Sequence, residues 1–271
     1  VWDHADVYKT ENSYTQAFCE LLQLLPNGGT AIISEKAKHL PISENAHVQY
    51  YGVQDWCDIR YTNVLQTKEG TSFTIHSKGQ TYAIHTKMLG EFTADNMTGC
   101  FAMAETIGIS QNDIVNALES FPGVKRRMEK RFSGKIDVYD DIAHSPTKAK
   151  AVIDSIRKIY NGKIFVVFEP NTGNRKSASF SGYDHAFDSA DTVIIPKLTR
   201  IKVDPNDADP PKDGETLQKI ITKTHQKTEY IEEDKKLTQY LFTEPKEGDA
   251  VLFLGSHGFR GMIEELISLH Q

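Results

Sequence analysis

A strand, a helix and a second strand follow one another in residues 136–168, which read IDVYDDIAHSPTKAKAVIDSIRKIYNGKIFVVF. Ile136–Asp141 and Ile164–Phe168 are short runs with apolar and β-branched residues, a composition typical of buried strands. Ser145 suits the N-cap of a helix over Pro146–Tyr160. Proline suits the first helical position, because the N–H group that it lacks would have no intrahelical partner there. This stretch therefore predicts a βαβ unit with two parallel strands.

The same alternation of strand and helix continues to the end of the sequence. The pattern predicts strands at Thr192–Ile195, Glu229–Ile231 and Ala250–Leu254, and helices near Tyr183–Ser189, Gly214–Thr224, Lys235–Phe242 and Gly261–Leu269. Short strands that alternate with amphipathic helices favour the α/β class and a complete, Rossmann-like, doubly wound sheet.

The earlier part of the chain has a mixed pattern. A helix is predicted over about 12–25, and residues 46–88 are rich in β-branched and aromatic residues with turns typical of a small β meander. Two helices follow, Ala94–Ile107 and Asn112–Ser120, and the latter ends at Phe121-Pro122-Gly123, which is typical of a hinge. We therefore expect two domains, 1–122 and 123–271.

Composition narrows the classes of function. The chain has 271 residues and a formal net charge of -6, which argues against a nucleic-acid coat. No apolar run approaches the roughly 18 residues of a membrane span, and no signal-peptide pattern is present. The three cysteines are far apart and form no C-x-x-C pair, so neither a disulfide framework nor a zinc site is expected. These features favour a cytoplasmic enzyme or binding protein without a membrane or nucleic-acid partner.

Candidate site residues lie at or just after the ends of three of the predicted parallel strands. They are Asp141 and His144, then Arg175, then the turn Ser256, His257, Gly258 and Phe259. Doubly wound sheets bind ligands outside the carboxyl ends of their strands, so these residues are candidates for a site. Each segment has a structural alternative: helix capping at 141–147, a mobile surface loop around Arg175, and a tightly packed strand–turn–helix at 255–261.

Three further segments could carry chemistry. Asp3-His4-Ala5-Asp6 could bind a metal or phosphate, although a solvated polar stretch is the favoured interpretation of so short a pattern. Asn96 could hydrogen-bond a base edge or simply lie in the first turn of a helix. The run 125–131 places five cations in seven positions, which suits phosphate oxygens or a solvated linker equally.

Taken in order, these segments resemble the Mur ligase family, the ATP-dependent amide-forming ligases of peptidoglycan precursors. Asp3–Asp6 matches D-H-x-D, Arg126–Glu129 matches R-R-x-E, and Asp140–Thr147 is similar to D-D-[YF]-[AG]-H-H-P-T, the most specific of the matches. That last form belongs to the branch that uses UDP-N-acetylmuramate itself. Departures are Phe92 and Thr93 within the G-x-H-N-x-x-N segment, and Ser145 at the second histidine.

The resemblance implies roles for individual residues. It implies that His4 ligands Mg²⁺, that Asn96 contacts adenine, and that Arg127 reaches the phosphates of ATP, with Asp141 near the ribose. It implies that the incoming amine substrate is held by His144, Arg175, Ser256, His257, Gly258 and Phe259. Arg126 is expected to point in a different direction from Arg127 and to matter less.

The resemblance also implies an activity. ATP and Mg²⁺ would drive an ADP-forming reaction that joins the carboxylate of UDP-N-acetylmuramate to an amino acid or peptide amine through an acyl phosphate. The tripeptide L-Ala-γ-D-Glu-meso-diaminopimelate, used in peptidoglycan recycling, is favoured as the amine, and L-alanine is the alternative. A different ligase of the same superfamily and a non-enzymatic nucleotide-binding module are the other hypotheses.

No G-x-x-x-x-G-K-[ST] phosphate loop occurs in the sequence, and the family's first domain has no counterpart. We expect 1–122 to be the rear of the central ATP-binding domain, with the N-terminal part of the same protein as a missing partner. The chain alone is accordingly expected to be inactive, with no tight Mg-ATP binding by calorimetry.

Overall fold

The computed structural model describes residues 7–8, 10–42, 46–199 and 207–271. The chain divides into two compact units, Val1–Pro122 and Gly123–Gln271, and each has its own sheet. Within the described ranges, no helix has the length and apolar character needed to span a bilayer.

The sheet of the first unit follows the order of the sequence. Its strands are β1 (Thr30–Ser34), β2 (His47–Gly52), β3 (Ile59–Thr67), β4 (Gly70–Ser77) and β5 (Gln80–Thr86). β1, β2 and β3 pair in parallel, whereas β3, β4 and β5 form antiparallel hairpins, so the predicted meander is confirmed. Gly70 is required in the first hairpin because its φ is +150° and a Cβ there would lie 1.9 Å from the carbonyl oxygen of Thr86.

Three helices accompany this sheet. They are α1 (Glu11–Gln23), α2 (Phe92–Thr106) and α3 (Gln111–Ser120). α2 packs on the sheet, and its buried Phe101 joins Ile75 and Ile84 of the strands in one apolar cluster. Ser110 caps α3 by accepting from the N–H of Asp113 at 3.3 Å, as serine at this position predicts.

The sheet of the second unit has six strands. They are β6 (Glu129–Ser133), β7 (Asp137–Asp141), β8 (Ile164–Glu169), β9 (Thr192–Pro196), β10 (Thr228–Ile231) and β11 (Ala250–Gly255), in the order β10-β9-β8-β11-β7-β6. Only β6 runs antiparallel to its neighbour. Every residue of β7, β8, β9 and β11 is buried, which explains why the interior strands are mostly continuous apolar runs.

Helices cover both faces of this sheet. They are α4 (Pro146–Arg157), α5 (Gly214–Ile221), α6 (Asp234–Thr243) and α7 (Met262–His270). α6 and α7 pack against each other and share one core cluster with Val167 of β8. The next residue, Phe168, contacts the aromatic rings of Tyr183 and Phe187, on the side where the segment 177–183 meets α4 and α5. The predicted Rossmann-like, doubly wound α/β fold is confirmed.

Two local predictions were wrong. The helix expected over Tyr183–Ser189 is absent, because the 3₁₀ segment Ser177–Tyr183 precedes it and turns follow. His185 has a φ of +53°, which is incompatible with a continuing right-handed helix. The solvated-linker alternative for the run 125–131 was wrong at the end of the run, because Glu129–Ser133 forms the edge strand β6.

We expect residues 123–271 to fold alone, since the six described strands of their sheet and the helices on its two faces all lie within that range. The expressed segment should show mixed α/β circular dichroism and a cooperative thermal transition. A segment 140–271, which lacks β6 and most of β7, is the matched control and should not fold cooperatively. A non-cooperative transition for 123–271 itself would contradict the prediction.

Candidate functional site

A fully buried carboxylate lies at the carboxyl end of β8. Glu169 is 0% exposed, and its Oε1 accepts a hydrogen bond from the N–H of Thr199 at 2.7 Å. Three cationic or titratable groups approach it: Arg175 Nη2 at 3.8 Å, Arg260 Nη1 at 3.4 Å and His257 Nδ1 at 3.8 Å. Glu169 therefore brings residues from two separate loops to one place at the sheet edge.

Arg175 is a buried cation in this group. It is 4% exposed, and it donates from Nε to Pro170 O at 3.2 Å and from Nη1 to Thr199 O at 3.1 Å. Burial lowers the pKa of Arg175, and the nearby Glu169 opposes that shift. Its Nη2 donates no hydrogen bond within the described part of the chain, since 3.8 Å to Glu169 is too long for one. Arg175 thus has one buried nitrogen without a hydrogen-bond acceptor in the described part of the chain.

The loop after β11 is anchored by two side chains. Arg260 forms a bidentate pair with Asp234, with both N–O distances at 2.8 Å. Phe259 is fully buried against Phe253, with ring centroids 5.1 Å apart, so only its backbone could meet a ligand. Phe259 and Arg260 have φ values of +53° and +51°, a strained conformation that these anchors maintain.

Arg126 faces the same loop. Its Nη2 donates to Gly255 O at 2.6 Å and to His257 O at 2.8 Å, and its Nη1 donates to Ser256 O at 3.2 Å. Its Nε lies 3.3 Å from Asp140 Oδ1. Arg126 therefore points to the turn 255–257, whereas the side chain of the neighbouring Arg127 is exposed.

The carboxylate of Asp141 accepts hydrogen bonds from two backbone N–H groups. It is 4% exposed, and its two oxygens accept from Met128 N and Ala143 N, each at 2.7 Å. Burial raises the pKa of Asp141, whereas these two N–H groups and the charge of Arg127 oppose the shift. Because each N–H would otherwise be buried and unsatisfied, Asp141 holds the segment that carries Arg127.

Arg127 and His144 complete the candidates on this edge. The side chain of Arg127 is exposed and makes no hydrogen bond or ion pair to the residues that the structure describes. His144 is half-buried, and its Nδ1 lies 2.7 Å from Ile142 O, which fixes the ring direction. Ser256 Oγ lies 3.1 Å from His257 Nδ1, at the start of the anchored loop.

The remaining candidates belong to the first unit or lie outside the described residues. Asn96 is exposed near the start of α2 in the first unit. The proposed magnesium ligand His4 lies outside the described residues, as do Asp3 and Asp6. Among the residues that are described, no group of three or more His, Cys, Asp or Glu side chains could hold a metal ion.

Sequence reasoning missed Glu169 and the contacts of Arg126. The signal for Glu169 was present, because a charged residue directly after the apolar run Ile164–Phe168 must be either exposed or paired. For Arg126 no local signal exists, since its carbonyl partners lie about 130 residues away in the sequence.

A doubly wound domain with several polar and charged side chains at the carboxyl edge of its sheet has the layout in which such folds bind ligands. Residues 2–104 match the family described as Mur ligase middle domain, and residues 126–257 match the one described as Mur ligase, glutamate ligase domain. The chain belongs to the Mur ligase family.

Individual relatives agree with this assignment. The UDP-N-acetylmuramate–L-alanine ligase of Caldicellulosiruptor saccharolyticus is 26% identical over 273 residues, which cover 98% of this chain and 59% of the relative. Among solved structures, the UDP-N-acetylmuramate-alanine ligase of Thermotoga maritima has a TM-score of 0.71 at 19% identity, over 98% of this chain and 56% of that one. The MurF ligase of Thermotoga maritima in complex with ADP has a TM-score of 0.73 at 16% identity, over 96% and 58%. The chain thus spans somewhat more than half the length of these proteins.

Proposed function

We propose that the protein is an ATP-dependent, ADP-forming ligase that joins the carboxylate of UDP-N-acetylmuramate to an amine, through an acyl phosphate, in peptidoglycan synthesis. Membership of the Mur ligase family supports the reaction class. The structural neighbour that was solved with ADP supports ATP as the nucleotide.

L-Alanine is the amine substrate that we propose. The motifs favour a tripeptide, but a relative whose match covers 98% of this chain is named as an L-alanine ligase, which supports the alternative. The tripeptide is therefore the competing substrate in the test below.

The arrangement around Glu169 is the observation that carries this proposal. Arg175, Arg260 and His257 approach a single buried carboxylate, and Asp234 neutralises Arg260 in addition. Arg175 keeps an undonated N–H group despite its burial. Cationic groups from two loops therefore meet at the carboxyl edge of the sheet, a location suited to the carboxylate that an amino acid presents opposite its reacting amine.

The nucleotide would be held by other residues. Arg127 is exposed and uncommitted among the described residues, so it is available for phosphate oxygens, and Asn96 is exposed for an adenine contact. Asp141 retains acceptor capacity beside its two backbone bonds, because an ionised carboxylate has about four lone-pair sites for hydrogen bonds. His4 would take part in holding Mg²⁺, whose chemistry would be to neutralise phosphate charge.

A substrate panel on the full-length protein tests this function. ADP release is measured with Mg-ATP and UDP-N-acetylmuramate in the presence of L-alanine, of the tripeptide, or of no amine. We expect release that depends on both UDP-N-acetylmuramate and an amine, with L-alanine giving the higher kcat/KM.

D-Alanine serves as the matched control, because it has the same groups with the opposite chirality. Preference for the tripeptide would overturn the choice of amine but not the reaction class. ADP release that ignores UDP-N-acetylmuramate, or no release with any amine, would overturn the proposed function itself.

A further inference from the structure

We propose that Arg126 is the positioning residue that orients the peptide groups of the Gly255–His257 turn, and that it thereby builds a backbone site for the carboxylate of the amine substrate. The inference rests on the proposed function and on the family resemblance, which implies that this turn holds the amine substrate. It adds Arg126 to the residues that the resemblance assigns to the amine substrate.

The guanidinium of Arg126 donates hydrogen bonds to the backbone of the turn. It donates to the carbonyl oxygens of three consecutive residues, Gly255, Ser256 and His257. A guanidinium has five N–H donors in one rigid plane, so it can serve several acceptors at once. Such charge-assisted bonds are stronger than bonds between neutral groups.

Arg126 is itself held in place on both sides. Its N–H donates to Glu129 Oε2 at 2.8 Å, and its carbonyl oxygen accepts from Ile142 N at 2.9 Å. Asp140, which is 2% exposed, pairs with its Nε. Because the φ of Arg126 is +58°, an unfavourable value for a side chain with a Cβ, these contacts also compensate a strained backbone. A side chain anchored in this way can impose a conformation on its partner.

Fixing the carbonyls also fixes the amides that follow them. In a trans peptide, the C=O of one residue and the N–H of the next point in opposite directions. The carbonyls of Ser256 and His257 face Arg126, so the N–H groups of His257 and Gly258 face away from it. Neither N–H donates to another described residue. Two successive N–H groups that point outward form a concavity suited to an anion.

The chain offers a matched control for this role. Arg131 shares the Asp140 carboxylate at 3.5 Å and pairs with Glu264 at 2.8 Å. It has no bond to the carbonyls of the Gly255–His257 turn among the described contacts. R131A therefore removes a neighbouring cation of the same patch without releasing the turn.

The structural test measures backbone order in the 271-residue chain. In the wild type, ¹⁵N relaxation at His257 and Gly258 should give order parameters near those of rigid backbone, about 0.85. R126A should lower them below about 0.6, R126K should give intermediate values because one ammonium cannot serve three carbonyls, and R131A should leave them unchanged. Unchanged values in R126A, or an equal loss in R131A, would overturn the positioning role.

The functional test uses steady-state kinetics of the full-length protein. R126A should raise the KM for L-alanine by tenfold or more while the KM for ATP stays within twofold, R126K should restore part of the loss, and R131A should resemble the wild type. Equal increases in both KM values would overturn the inference, because a general structural defect would cause them. If R126A does not fold, R126K decides both tests. A wild-type protein without ligase activity would refute the proposed function, whereas the order parameters would still decide whether Arg126 positions the turn.

Discussion

Glu169→Ala is expected to lower the free energy of unfolding of the 271-residue chain by about 3–5 kcal/mol, the range for removing one partner of a buried ion pair. Glu169 is fully buried, and Arg175, which is 4% exposed, would be left without its carboxylate neighbour. The N–H of Thr199 would also lose its acceptor. Urea denaturation measures the change, provided that the slope with urea concentration stays the same.

Two variants separate charge from packing at this position. Glu169→Gln keeps an oxygen for Thr199 N–H and loses only the charge, so its loss should be smaller than that of Glu169→Ala. Glu229→Ala, at an exposed glutamate of β10 whose carboxylate accepts from Tyr240 OH, should stay within about 0.5 kcal/mol of wild type. A loss below about 1 kcal/mol for Glu169→Ala would show that the buried carboxylate does not stabilise the arginines around it.

Periodicity alone predicted most of the second unit, because its strands are buried on both faces and its helices on one. Ser145 caps α4 as expected, accepting from the N–H of Lys148 at 3.3 Å. The errors have physical causes. The segment after Gly182 has apolar residues at helical spacing, but His185 adopts a left-handed conformation there. β6 lies at a sheet edge with half-buried charged residues, so it lacks the apolar run of an interior strand.

The candidate site was predictable only where it is local in sequence. Asp141, His144 and the loop after β11 were found because they directly follow strands of a parallel sheet. Glu169 and Arg126 act through partners on other loops, and no sequence periodicity encodes which loops meet. The structure explains the R-R-x-E pattern through hydrogen bonds that involve backbone N–H groups. Its glutamate accepts from the N–H of Arg126, and the N–H of Met128 donates to Asp141.

The second large effect concerns catalysis. In the full-length protein, Arg127→Ala should lower the reaction rate about ten- to a hundredfold, since a charge-assisted contact to phosphate is worth roughly 1.5–3 kcal/mol. Stability should change little, because the side chain is exposed and makes no bond to the described residues. ADP release at saturating UDP-N-acetylmuramate and L-alanine measures the rate, and thermal unfolding measures the stability.

Arg127→Lys should restore only part of the rate, because an ammonium cannot bind two phosphate oxygens in the fork geometry of a guanidinium. Lys125→Ala removes another exposed cation of the same run and is the matched control, with a rate expected to stay near wild type. Loss of general electrostatic attraction would affect both variants alike and would weaken with added salt, whereas loss of a specific contact affects only Arg127. If Arg127→Ala kept both the rate at saturating ATP and the KM for ATP within about twofold of wild type, a change too small for a lost phosphate contact, then Arg127 would not contact the nucleotide.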